Sequence, residues 1–191
     1  KRVQNTMVYT DDVVRELIES FRNESWFERT IFIITGDHAY DLGERGAVLG
    51  HGNLRHESTW VPLVIWGADK RLPRGRQMGV ASHIDIAPTV LDLAGITDDN
   101  SFAGHSLLQP QSKKRSTLMV RMENFALEDE HHTGYFPKEA APMLFDAGDL
   151  EHRNDIASSH SDIIDRFQKL VTALSQVTDY AIEYNKAAPT P

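Results

Sequence analysis

Two unbroken runs of apolar, largely β-branched residues stand out along the chain, Thr30-Ile31-Phe32-Ile33-Ile34-Thr35 and Val61-Pro62-Leu63-Val64-Ile65-Trp66. Apolar on both faces, each reads as a strand covered from both sides, as in a parallel sheet packed between helices. Before the first run, Val14, Leu17, Ile18 and Phe21 recur at helical spacing behind Thr10 or Asp11 as cap. That spacing predicts a helix ending in the polar stretch Arg22–Ser25. A second, short helix is predicted over Ile84–Leu93, with Pro88 in its first turn and Gly95 just past its end. Residues 39–58 are rich in Gly and His without clear period and read as a long loop, a kind that is usually functional or disordered.

Beyond Gly104 the pattern changes. Gln109–Lys114 is linker-like, Ser116–Met122 and Met143–Asp146 read as strands, and Glu123–Glu139 between them reads as a loop carrying His131 and His132. A last helix over Ser161–Ala181 sets Ile164, Phe167, Val171, Leu174 and Val177 along one stripe. The expected architecture is α/β: a mostly parallel sheet flanked by helices over residues 1–110, then a small subdomain over 111–191. In that subdomain the two short strands pair antiparallel under the long helix.

Composition narrows the function. The chain has 191 residues, 40% apolar and 25% charged, enough for a sizeable core. Its 20 basic against 28 acidic side chains give a net charge of −8, and no dense basic run appears, which argues against nucleic-acid binding. No apolar run approaches the roughly 18 residues of a membrane span. The polar opening Lys1–Thr6 is no signal peptide. With no cysteine, thiolate metal sites and Cys nucleophiles are absent from these residues.

Three segments carry candidate chemistry. The first strand runs into Gly36-Asp37-His38, and in open α/β sheets ligands gather beyond the carboxyl ends of strands. A carboxylate and an imidazole together suit a divalent cation. Equally, Asp37 could simply cap a turn. In Gly50-His51-Gly52 the flanking glycines permit close backbone approach to an anion, and His51 can donate to an ester oxygen; the plainer reading is a solvated loop histidine. His56, five residues before Val61, is open to a ligand, a supporting or a surface role. The third segment, Ser82–Ile96, is mostly explained as a capped helix, although His83 could face the same pocket.

In order and content these segments resemble the sulfatase branch of the alkaline phosphatase superfamily. The matching elements are Tyr9-Thr10-Asp11 at a helix start, the strand ending in Gly36-Asp37-His38, the glycine-rich Leu42–Gly46 and Gly50-His51-Gly52 before Val61-Pro62-Leu63-Val64-Ile65. Ser82–Gly95, Phe102–Leu108 and the run from Leu144-Phe145-Asp146 through Asp155-Ile156-Ala157 complete them, so the likeness extends over roughly residues 6–170. It implies an alkaline-phosphatase-like fold and a hydrolase of sulfate or phosphate esters. It also implies a divalent cation (Ca, Mn, Zn or Mg) held by Asp37 and His38, with His51 contacting the ester oxyanion and His56 on the substrate side. Ala39 and Tyr40 stand where such proteins usually have Gly and then Glu.

The resemblance begins partway through the family. The expectation is therefore a C-terminal portion of a longer enzyme, inactive alone because the family's nucleophile has no counterpart here. Such a portion should expose apolar surface near the first helix and first strand, favouring self-association into a homo-oligomer. An extracytoplasmic location, with a membrane anchor upstream, goes with the family. Two other readings stay open: a membrane-anchored phosphoglycerol or phosphoethanolamine transferase of the same superfamily, and a non-catalytic binding domain on the same fold.

Overall fold

The computed structural model describes residues 2–43, 46, 50–97, 100–109 and 115–187. The linker-like residues 110–114 and positions 44 and 45 of the glycine-rich loop lie outside them. The chain forms two compact units, residues 1–35 with 62–74, and residues 36–61 with 75–191.

The first unit holds helix α1 (Arg2–Phe21), strand β1 (Ile31–Thr35) and strand β2 (Leu63–Gly67). Nothing in residues 2–9 breaks a helix, so α1 starts well before the expected cap, and Tyr9-Thr10-Asp11 lies inside it rather than at its start. Rings supply the packing. Phe27 is buried, and Phe32 lies 6.0 Å from Phe27 and 5.4 Å from Trp66 between ring centroids.

The strands β1 and β2 correct two expectations. They pair directly and antiparallel, Ile31 opposite Gly67 and Thr35 opposite Leu63. Apolar runs specify burial but carry no strand direction, and the long excursion between them allows either sense. Gly67 makes the register possible, since a Cβ there would meet the Thr30 carbonyl oxygen at 2.7 Å. Nor is β2 covered on both faces, because Val64 and Trp66 are nearly half exposed. The predicted exposed apolar surface is present: Met7, Val8, Tyr9 and Leu17 of α1 all face solvent. No helix among the described residues is long and apolar enough to cross a membrane.

The second unit is built on a four-stranded antiparallel sheet in the order β3 (Ser116–Arg121), β4 (Asn124–Asp129), β5 (His132–Phe136), β6 (Met143–Asp146). The last helix covers it as expected, but two strands form where a loop was read, so Ser116–Arg121 and Met143–Asp146 lie on opposite edges instead of pairing. The hairpin at β4–β5 depends on Asp129, whose Oδ1 accepts the backbone N–H groups of both His131 and His132 at 2.8 Å. Arg166 donates to its Oδ2 at 2.7 Å. This local carboxylate turn is what a purely hydrophobic pattern misses.

Alternation gives the sheet two faces. Leu127 of β4 and Leu144 of β6 pack with Ile164, Phe167 and Val171 of helix α4 (Ser161–Ala187). On the reverse face Ala126, Tyr135 and Phe145 form a second cluster, joined by Met119 and by Leu54 from the segment after His51. The rest of the unit includes the short helix α2 (His56–Thr59), 3-10 turns over His83–Asp85 and Ala157–Ser159, and helix α3 (Ile86–Ala94). α3 ends as predicted on Gly95, left-handed at φ 72°, where Gly95 N–H and Ile96 N–H return to the carbonyls of Asp92 and Leu91.

Gly134 of β5 leaves the notch that Phe167 fills, for a Cβ there would lie 2.7 Å from the Phe167 ring. Phe167→Ala should therefore destabilise by about 3–5 kcal/mol and Gly134→Ala by about 1–3 kcal/mol in denaturant unfolding. Combined, the two should cost clearly less than their sum, because the first removes the clash that the second creates.

Candidate functional site

The chain leaves β1 at Thr35 and passes directly through Gly36 into Asp37 and His38. His83 backs this corner: its Nε2 lies 2.9 Å from the Gly36 carbonyl oxygen, which can only accept, so Nε2–H donates. The Asp37 side chain is 90% exposed. Its carboxylate is held below the usual aspartate range, first by the His38 backbone N–H at 3.0 Å and then by the charge the neighbouring His38 ring carries whenever it is protonated. Asp37 thus stays ionised into the acid range. The turn-capping reading is met in part, through that N–H to Oδ1 bond, and it leaves Oδ2 facing outward.

His38 is set in one tautomer. Nδ1 lies 2.8 Å from the Ala39 carbonyl oxygen and must be the protonated nitrogen, so in the neutral ring Nε2 carries the lone pair. That Nε2 is 3.8 Å from Asp37 Oδ2. A hard carboxylate oxygen and an imidazole lone pair therefore lie side by side, a donor set that fits a divalent cation. Among the described residues no third His, Asp or Glu joins them, so a complete shell needs donors from elsewhere.

His51 is brought to the same place by a closed loop. Asp41 and Gly50 exchange both backbone hydrogen bonds, at 2.7 and 3.0 Å. The buried Asp41 carboxylate then accepts Gly43 N–H at 2.8 Å and the Asn53 side-chain amide at 3.0 Å. Gly50 sits at φ 136°, a region open to glycine and strained for other residues. The outcome is that the His51 ring lies 4.2 Å from the His38 ring. From the other side Arg121 of β3 donates to the His51 carbonyl at 3.0 Å.

His56 is placed differently from the other three candidates. It is 8% exposed, stacks on Trp60 at 4.0 Å and presents Nε2 to Glu128 of β4 at 3.4 Å. Trp60 donates its indole N–H to the same Glu128 oxygen at 3.1 Å. The Trp60 indole N–H, by a hydrogen bond, and the His56 ring, by proximity, thus converge on one carboxylate of the sheet.

Asp37, His38 and His51 are gathered as their positions suggested, whereas Asp41, Asn53, Arg121 and Glu128 escaped the sequence reading. Asp41 had one legible signal, an Asp two residues before a Gly in a loop, which is an Asx-turn pattern. Arg121 and Glu128 act from 70 and 68 residues away in sequence, so no local pattern could reveal them.

Comparison with known proteins gives a consistent picture. A family model described as Sulfatase matches residues 1–96. The uncharacterized sulfatase YidJ of Escherichia coli (strain K12) is 26% identical over 188 residues, covering 92% of this chain and 36% of that protein. Among solved structures, BT4656 in complex with its substrate D-glucosamine-2-N,6-O-disulfate superposes with a TM-score of 0.70 at 20% identity, over 91% of this chain and 40% of that one. The phosphonate monoester hydrolase of Agrobacterium radiobacter gives 0.69 at 21% identity, over 87% of this chain and 39% of its own. At these identities the structures speak to fold, which is alkaline-phosphatase-like α/β, and the chain spans little more than a third of YidJ. The family model covers half of the chain, residues 1–96, and with that the chain belongs to the sulfatase family of the alkaline-phosphatase-like superfamily.

Proposed function

We propose that these residues contribute the metal-side corner and the oxyanion contact of a sulfate-ester hydrolase. Residues 1–110 would be the C-terminal part of its catalytic domain, and 111–191 a small subdomain attached to it. The nucleophile would come from outside the 191 residues, as would the remaining metal ligands. The observation that carries this reading is the His38 tautomer. Nδ1–H is committed to Ala39, so the Nε2 lone pair lies beside the ionised Asp37 carboxylate, and His51 stands against the same ring.

Sulfatase-family enzymes are generally metal-dependent. Asp37 would hold the cation through oxygen and His38 through nitrogen. When bound, a divalent cation supplies Lewis-acid polarisation of the ester oxygen. His51, outside the donor pair, would donate to an oxygen of the ester where negative charge develops, a contact that strengthens toward the transition state. His56 takes a supporting part: buried against Glu128, it anchors the segment that presents His51. The chemistry suits sulfate esters first; the equal fold likeness to a phosphonate monoester hydrolase extends it to phosphorus esters. An extracytoplasmic location follows the family resemblance.

In the full-length protein, Asp37→Ala should abolish both bound metal and turnover. His51→Ala should lower kcat by about 10²–10³-fold, the scale of one lost oxyanion donor, while the metal content measured by mass spectrometry stays intact. An unchanged metal-to-protein ratio in Asp37→Ala would remove Asp37 from the metal site. Asp41→Ala frees the 41–50 loop and should lower kcat through His51 with metal retained, and Asp41→Asn should recover part of the loss by keeping an acceptor for Gly43.

A further inference from the structure

His51 stands between two glycines, and glycine restrains the backbone less than any other residue. The direction of its imidazole is therefore decided from outside these three residues. A peptide unit is planar, so holding the two units on either side of a Cα fixes its N, Cα and C atoms and with them the direction of Cβ. The unit between Gly50 and His51 is held by Asp41, whose backbone N–H donates to the Gly50 carbonyl at 2.7 Å. The unit between His51 and Gly52 is held by Arg121, whose Nη1 donates to the His51 carbonyl at 3.0 Å. Both planes are thus tethered, one by the loop's own backbone and the other by a side chain 70 residues away.

The surroundings of Arg121 suit this contact. Its guanidinium lies along the 51–52 peptide, with Nη2 3.8 Å from the position a Cβ on Gly52 would take. The residue after it carries backbone strain: Met122, 84% exposed, sits at φ 53°. An exposed methionine gains no burial from that conformation, so the strain belongs to the turn it helps to close. Arg121 and Asn124 face each other across this two-residue turn between β3 and β4. The turn is braced from β4 and from the segment after β5. The Asn124 amide donates to the Arg121 carbonyl at 3.4 Å and accepts the Lys138 N–H at 3.1 Å, and the Lys138 ammonium pairs with Glu123. The end of β3 is thereby held, and the root of the Arg121 side chain with it.

We propose that Arg121 is a positioning residue for His51. It fixes the peptide after His51, as Asp41 fixes the one before, and so holds the imidazole 4.2 Å from the His38 ring. The proposal rests on the oxyanion reading of His51 given above, and deepens it: the contact is set from the C-terminal sheet. A freed 51–52 peptide lets the ring swing about the two glycines, and a displacement of about 1 Å at a reacting centre can cost on the order of a hundredfold in rate. The loss falls on kcat rather than on substrate affinity, because the His51 contact strengthens toward the transition state. Lysine at position 121 keeps a donor for the carbonyl but lacks the planar fork, so it restores part of what a side chain without donors loses.

In the full-length protein, Arg121→Met should lower kcat by about ten- to a hundredfold, with KM changed by less than about twofold and metal content intact. Arg121→Lys should recover most of that kcat. In the His51→Ala background Arg121→Met should cost nothing further, since a residue acting through His51 has nothing left to position. A readout independent of turnover is the nuclear Overhauser contact between the His38 and His51 ring protons in histidine-labelled protein. It should be lost in Arg121→Met and return in Arg121→Lys. Arg121→Gln, which stays polar at this exposed hydrogen bond, serves the same comparison if Arg121→Met does not fold. Retention of the ring contact without the guanidinium overturns the proposal, as does multiplication of the two losses in the double variant. A raised KM at unchanged kcat also overturns it, for that marks a guanidinium touching the substrate itself. Loss of the ring contact in Arg121→Met, with full kcat in His51→Ala, sustains the positioning and defeats the oxyanion reading instead.

Discussion

The arrangement at His51 depends on one loop closure, the paired backbone hydrogen bonds between Asp41 and Gly50 reinforced by the buried Asp41 carboxylate. Without it, His38 and His51 would be two exposed histidines at the ends of an irregular stretch. Closing a loop costs entropy that grows only slowly with length, so two backbone bonds and two carboxylate bonds are enough to hold it. The carboxylate matters more than the bonds it counts. A buried Asp must be satisfied: Gly43 N–H does so locally, whereas the Asn53 amide, twelve residues on, reaches it only when the loop is shut.

The second requirement is a platform, which the four-stranded sheet provides by presenting chemically different faces. Phe167 seated over Gly134 fixes one face to α4. The other face carries Arg121 and Glu128, which reach the backbone of His51 and the side chains of His56 and Trp60. The C-terminal strands are thus part of the structure that positions the candidate site. The Glu128 carboxylate has the buried His56 ring at 3.4 Å. Its use here is geometric, fixing where α2 meets β4.

A third node joins the remainder of the second unit. The fully buried Asp85 accepts from Ser82 N–H and His105 N–H, each at 2.9 Å, and pairs with Arg115 at 2.6 Å. Its own carbonyl takes the Thr89 hydroxyl at 2.6 Å. One carboxylate therefore caps the 3-10 turn that carries His83, pins the segment at His105 and anchors the residue that leads into β3. The motif Ser82–Gly95 was explained from sequence as capped helix, and that account holds; what it omitted is that its cap is also a tertiary junction.

The sequence by itself determined the local elements and the chemistry at short range: strands within 30–35 and 61–66, observed at 31–35 and 63–67, α3 with its Gly95 stop, the stripe of α4, and the Asp37-His38 pair. These rest on interactions within a few residues, namely side-chain periodicity, backbone preference and covalent adjacency. It did not determine strand direction, the four-strand order or the partners of His51 and His56. Apolar runs state how much surface is to be buried and nothing about which neighbour buries it. The antiparallel pairing of β1 with β2, the hairpin where a loop was expected, and the reach of Arg121 and Glu128 across some seventy residues were all decided by tertiary structure. There, satisfying buried polar groups and filling notches such as Gly134 select one arrangement from many that the local pattern permits.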